Sequence, residues 1–174
     1  MKFFRLTLFA VVAIVLLQSS HCKVVKYNFQ GGRTFDDSVT VSVMTFVNNA
    51  PLAKATLPQT LTETLKDALQ RQTRLTLVPK NGDLNFEGEI TGYAITPVAV
   101  QAGGGNGSAM NRLTITVKVN YTDNVEDKYS FESSFSRYAD YSTSVNISAV
   151  EDGLIKDISE QLTQDILNKS VNAW

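Results

Sequence analysis

The chain has 174 residues, with 16 Lys and Arg, 17 Asp and Glu and one His, for a formal net charge of −1. That balance, with no basic block anywhere, excludes the clustered cations on which nucleic-acid binding depends. A single cysteine excludes an internal disulfide, and the length suits one domain with a real core.

The N-terminal stretch comes first. Lys2 and Arg5 precede a wholly apolar run from Leu8 to Leu17, and polar Gln18-Ser19-Ser20-His21 follows. A basic start, an apolar run of about 7–15 residues and a polar stretch before a cut site describe a secretory signal peptide over residues 1–21. A transmembrane anchor would need roughly 20 apolar residues. Phe3 to Leu17 supplies fifteen, interrupted by Arg5 and Thr7.

In an exported chain the lone Cys22 is paired between chains, left as a thiol or modified. A cysteine at the mature N-terminus of a bacterial export signal accepts a diacylglycerol thioether, so lipidation is expected at Cys22, with residues 22–38 as a lipidated tether. Lipoprotein signals usually carry Leu three positions before the cysteine and a small residue just before it. Here those positions hold Ser19 and His21.

Removing residues 1–21 leaves 14 basic against 17 acidic side chains and takes away the only histidine. With Cys22 blocked, His-based triads, Cys–His pairs and nearly every zinc site are excluded. No catalytic residue, metal site or cofactor is assigned.

Residues 39–174 read as a single domain. Val39, Val41 and Val43 alternate on one face of a strand over residues 39–47, and Asn48–Pro51 is a turn. Thr56-Leu57-Pro58-Gln59 fits a capping box, and Leu57, Leu61, Leu65 and Leu69 stripe a helix ending near Thr73. A short strand spans residues 74–78, and Pro79–Gly82 turns the chain. Residues 84–100 form one long strand or a broken pair, with Gly88 and Gly92 marking bulges or close backbone approach. Gly103–Gly107 is a flexible hairpin connection, since no helix pattern opens after it.

Leu113, Ile115, Val117, Val119 and Tyr121 alternate against Thr114, Thr116, Lys118 and Asn120, giving an antiparallel strand with one apolar and one polar face. Tyr129, Phe131, Ser133 and Phe135 repeat the pattern after a hairpin loop at residues 123–128. Ser148–Glu151 fits a second capping box, opening a helix striped by Leu154, Ile158, Leu162 and Ile166 up to about Ser170. The order predicts an α+β two-layer sandwich. Its sheet would be mostly antiparallel with about four strands, and both helices would lie on one face. Leu61, Leu65, Leu113, Val117, Ile158 and Leu162 should then share the core.

Two sets of polar residues carry possible chemistry. Glu87 and Glu89 lie roughly 7 Å apart on one strand face, a spacing that suits paired-carboxylate hydrolysis. They read more simply as a solvated face, because nothing nearby supplies the apolar pocket that raises one carboxyl. Arg112 and Lys118 share the polar face of the cleanest strand. They are either solubility charges or a strip that meets anionic ligand groups or another protein's polar wall. Arg137 is a further candidate whose direction the pattern leaves open. The aromatics Phe131, Phe135, Tyr138 and Tyr141 belong to core and strand edge.

Several runs resemble the lipopolysaccharide-assembly lipoprotein LptE family in a divergent form. They are Cys22-Lys23-Val24, Asn48–Val78, Asn81–Val100, Asn111–Tyr121, Phe135–Tyr141 and Val150–Trp174. The resemblance implies a non-enzymatic α+β protein tethered to the outer membrane's inner leaflet and facing the periplasm. Its implied partners are lipopolysaccharide and the β-barrel translocon LptD, whose lumen it would plug while aiding delivery to the outer leaflet. The alternative is a free lipid- or glycan-binding periplasmic or surface lipoprotein without a barrel partner. No ligand-contacting position carries over, so Arg112, Lys118 and Arg137 rest on the face argument alone.

Overall fold

The computed structural model describes residues 35, 36, 38–98 and 109–171. The expected signal peptide (residues 1–21), the expected lipidation site Cys22, most of the expected tether, the Gly103–Gly107 segment and Trp174 lie outside them. The elements run β1 (Thr40–Val43), β2 (Val47–Asn48), α1 (Leu57–Gln72), β3 (Thr76–Leu77), β4 (Leu84–Val98), β5 (Met110–Asp123), β6 (Phe131–Ser142) and α2 (Ile147–Lys169).

The α+β class holds, but the sheet has six strands rather than about four, and it is mixed rather than mostly antiparallel. Its order is β3-β1-β4-β5-β6, with β2 also paired to β4. Only β4-β5-β6 form an antiparallel meander. β1 is parallel to both β3 and β4, and β2 is parallel to β4. The cause is the helix between β1 and β3: a helical crossover returns the chain to the end it left, so the next strand runs parallel. The two-residue strands β2 and β3 are too short to show any alternation.

Between β3 and β4 the chain passes over the backbone of β1. A Cβ at Gly82 would lie 2.7 Å from the Ser42 amide nitrogen and 2.8 Å from the Val41 carbonyl carbon, so only glycine permits that crossing. The turn is tied down by Asp83, whose carboxylate accepts from the Thr40 N–H at 2.9 Å and hydroxyl at 2.7 Å. Those bonds, led by the one from the Thr40 backbone, hold the Asp83 carboxyl below its ordinary range.

Both glycines singled out inside β4 have structural causes. At Gly88 a Cβ would strike the Phe46 ring and the Lys118 carbonyl. The ring of Phe46 thus lies directly over the strand and is buried. At Gly92 the pairing with β5 shifts register, so Thr91 is an extra residue. That shift keeps Tyr93 on the same face as Ile90.

The helices lie side by side and run the same way, since Lys54 ahead of α1 pairs with Asp152 in the first turns of α2 at 2.6 Å. The α1 stripe behaves as its spacing predicts: Leu57, Leu61, Leu65 and Leu69 are all fully buried. Leu113, Val117, Ile158 and Leu162 join them in the single core.

Neither capping box forms as the sequence suggests. Thr56 has helical backbone angles and its side chain makes no cap bond. In α2 the cap is Asn146, two residues before Ser148. Its extended backbone lets its side-chain oxygen accept the Ser148 N–H at 3.0 Å. Glu151 is thereby released to accept a hydrogen bond from the Tyr93 hydroxyl at 2.5 Å.

Candidate functional site

Strands β4, β5 and β6 present two faces of opposite character. Inward point Phe86, Ile90 and Tyr93, with Leu113 through Tyr121 on alternate positions, all buried beneath the helices. Outward point Glu87, Glu89, Arg112, Thr114, Thr116, Lys118, Asn120, Ser134, Ser136 and Asp140, and among the described residues no helix lies over them. Strict alternation along β5 creates this division, because successive side chains leave opposite sides of a strand.

The outer face is knitted together by cross-strand pairs. Arg112 donates from Nε and Nη2 to the two oxygens of Asp140 at 2.7 and 2.8 Å, a forked ion pair. The same guanidinium lies 3.6 Å above the centre of the Tyr138 ring. Hydrogen bonding to Asp140 raises Arg112, and the same bond lowers Asp140. Lys118 Nζ meets Glu132 at 2.8 Å and is raised by that contact first. Thr116 and Ser136 share a hydroxyl–hydroxyl bond at 3.0 Å between those pairs.

The candidate cations are therefore not a free positive strip. Arg112 and Lys118 do share the outer face, six residues and roughly 20 Å apart. Arg137 faces the other way. It forks onto Asp165 of α2, which raises it. Beside Arg112 and Lys118 the outer face carries four carboxylates, Glu87, Glu89, Glu132 and Asp140. Its balance is acidic. Asp140, Glu132 and Tyr138 were not legible as site residues, because what assigns them is the β5–β6 register.

A shallow groove of about 410 Å³ opens on this face. Met44, Thr45 and Val47 form one wall, and Glu87, Lys118 and Glu132 lie across from them. Glu89 accepts from the Asn49 amide. A second groove of about 580 Å³ runs between the helices, past Thr64, Arg71, Gln72, Gln161 and Gln164. Among the described residues no three ligating side chains are grouped to hold a metal ion, and no helix is long and apolar enough to cross a membrane.

Two amphipathic helices on one side of a sheet whose other face is polar and ion-paired across strands define a module that presents a hydrophilic sheet surface. A family model described as LptE, lipopolysaccharide-assembly, matches residues 38–170, and the chain belongs to that family. Its role at family level is lipopolysaccharide assembly. No curated protein matches the sequence.

Among solved structures, a hypothetical protein from Chlamydia trachomatis is similar, with a TM-score of 0.51, 12% identity and coverage of 75% of this chain and 94% of that one. That likeness shows the fold. A minor lipoprotein from Acinetobacter baumannii has a TM-score of 0.47 and 17% identity over 75% of this chain and 91% of that one. A PelC dodecamer from Paraburkholderia phytofirmans has a TM-score of 0.48 and 9% identity over 80% and 94%.

Proposed function

We propose that this protein is a non-enzymatic outer-membrane lipoprotein, lipidated at Cys22 and facing the periplasm. In this reading it plugs and supports assembly of the lipopolysaccharide-transport β-barrel LptD, aiding delivery of lipopolysaccharide to the outer leaflet. The observation that carries the reading is the polar outer face of β4-β5-β6, which no helix among the described residues covers. Its two cations are each paired with a carboxylate across the β5–β6 strands, and its uncharged side chains are mostly Thr, Ser and Asn. A transmembrane barrel has a polar interior, and a domain lodged in it needs a hydrophilic wall of this kind rather than an apolar interface. The acidic balance favours a protein wall over anionic ligand groups as what Arg112 and Lys118 meet.

The test is recovery from detergent-solubilised outer membrane. The expected result is a stable complex with a much larger barrel, and an acylated Cys22 in the mass spectrum of the N-terminal peptide. Recovery of the chain alone, where other barrel complexes stay intact, would overturn the partnership. The groove beside Met44 and Val47 has a volume within the range of small-ligand sites. It favours the second reading, a free lipid- or glycan-binding lipoprotein, if no barrel is found.

A further inference from the structure

The sheet ends differently at its two edges. On one side β2 and β3 are two residues each. β4 beyond Ile90 pairs only with β5 there, and it carries Pro97 and the register shift at Gly92. Short strands, proline and irregular pairing are the usual guards against a further strand. On the other side β6 runs for twelve residues, Phe131–Ser142, with neither proline nor lysine. Its register against β5 is unbroken, and among the described residues no further strand joins it.

The free backbone of β6 follows from one bond. Thr143 N–H donates to the Ala109 carbonyl at 3.1 Å, which makes Met110–Ser142 a pair without mutual hydrogen bonds. The two pair types alternate along an antiparallel ladder. Glu132, Ser134, Ser136, Tyr138 and Asp140 therefore turn their N–H and C=O groups away from β5. All five residues are exposed, and no other described group bonds to those peptide atoms.

The side chains suit an added strand as well. On the inner face Phe131, Phe135 and Ala139 are only partly buried, whereas their β5 partners Tyr121, Val117 and Leu113 are fully buried. The three charges of β6 are already paired: Glu132 with Lys118, Asp140 with Arg112 and Arg137 with Asp165. A neutral strand laid alongside would cover the rings and bury no unpaired charge.

We infer that the β6 edge is a strand-addition site, which takes an extended segment of the partner protein as a seventh strand of the sheet. For its partner the inference rests on the barrel reading above. The segment places apolar side chains beside Phe131, Phe135 and Ala139, and small uncharged polar ones beside Ser134 and Ser136. A second copy of this chain does not fit the same edge. α2 lies closer to β6 than to β5 and is tied to it through Asp165 and Lys169. Edge-to-edge pairing would bring the copy's own α2 over a strand about 4.8 Å away, whereas packed helices need about 8–10 Å.

The test measures backbone amide exchange, residue by residue, in the full chain alone in detergent and in its complex with the barrel. In the free chain the amides of Ser134, Ser136 and Tyr138 should exchange fast. Those of Phe135 and Arg137, bonded to β5, should exchange slowly. In the complex the first three should slow by about tenfold or more. Ser134→Pro removes only an edge-facing N–H, so its melting temperature should stay within about 4 °C of the parent. It should bind the barrel about tenfold more weakly. Ser134→Ala, which keeps the N–H, should bind like the parent.

Edge amides equally fast in both states, or already slow in the free chain, would overturn the inference. So would loss of the fold or unchanged barrel binding in Ser134→Pro. Dimers of the free chain with those amides protected would make a second copy the occupant and overturn it too. The barrel reading fails separately, when the parent chain is recovered with no barrel, and that result removes this partner with it.

Discussion

The two sides of one strand, β5, differ sharply, with buried apolar residues alternating with partly exposed polar ones. Val117 is fully buried against the helices, while Lys118, the next residue, is partly exposed and holds Glu132 across the strand. The inner side is apolar and sets whether the chain folds. The outer side is hydroxyl-rich and ion-paired, and it adds little to folding, because exposed pairs contribute only about 0–1 kcal/mol. Residues that stability does not require are free to serve a partner.

The largest expected effect lies on the inner side. Phe86 is fully buried, with its ring centre 4.7 Å from that of Tyr121. Phe86→Ala should cost about 3–5 kcal/mol in urea unfolding. A loss below about 1 kcal/mol would show that the inner face is not the source of stability.

Tyr93 comes next. Burial, and then its bond to Glu151, push its hydroxyl above the ordinary tyrosine range. A group raised in the folded state contributes fully below its unfolded value, near pH 10, and loses that contribution as pH rises further. Stability should therefore fall above about pH 10. Tyr93→Phe should flatten that fall while costing about 1–2 kcal/mol at neutral pH, through the lost charged hydrogen bond.

Gly153 sharpens the comparison from the solvent side of α2. A Cβ there would meet nothing within 4 Å. Gly153→Ala should stabilise by about 1 kcal/mol and raise the melting temperature by about 2–4 °C. A drop in melting temperature would mean that this helix face is not open.

The smallest effects belong to the outer sheet face. Ser136→Ala and Thr116→Ala should each stay within about 0.5 kcal/mol of the parent in the same urea experiment. Losses that approached that of Phe86→Ala would erase the distinction between the faces.

Much of this division is legible in the residues. The four-residue leucine spacing of α1 and the alternation through Leu113–Tyr121 each name the buried side correctly, because burial and period go together in regular elements. The topology is less legible. β2 and β3 are two residues each, below the length at which a period exists, and the helical crossover that makes them parallel leaves no local mark.

Caps mislead for a related reason. Ser148 and Asn146 both suit an N-cap, and only the extended backbone at Asn146 decides between them. The candidate cations show the same limit at long range. Arg112, Lys118 and Arg137 are visible as cations, but Asp140, Glu132 and Asp165 lie 28, 14 and 28 residues away in sequence. Register and helix packing assign them, and with them the sign of the surface.

The most direct test is a photo-crosslinking side chain placed at Ser136, at the centre of the bare face, in cells that carry the full chain. Irradiation should yield a covalent adduct with an outer-membrane β-barrel much larger than the chain itself. A chain that reaches the outer membrane yet gives no barrel adduct from Ser136 would contradict a partner-facing role for that surface.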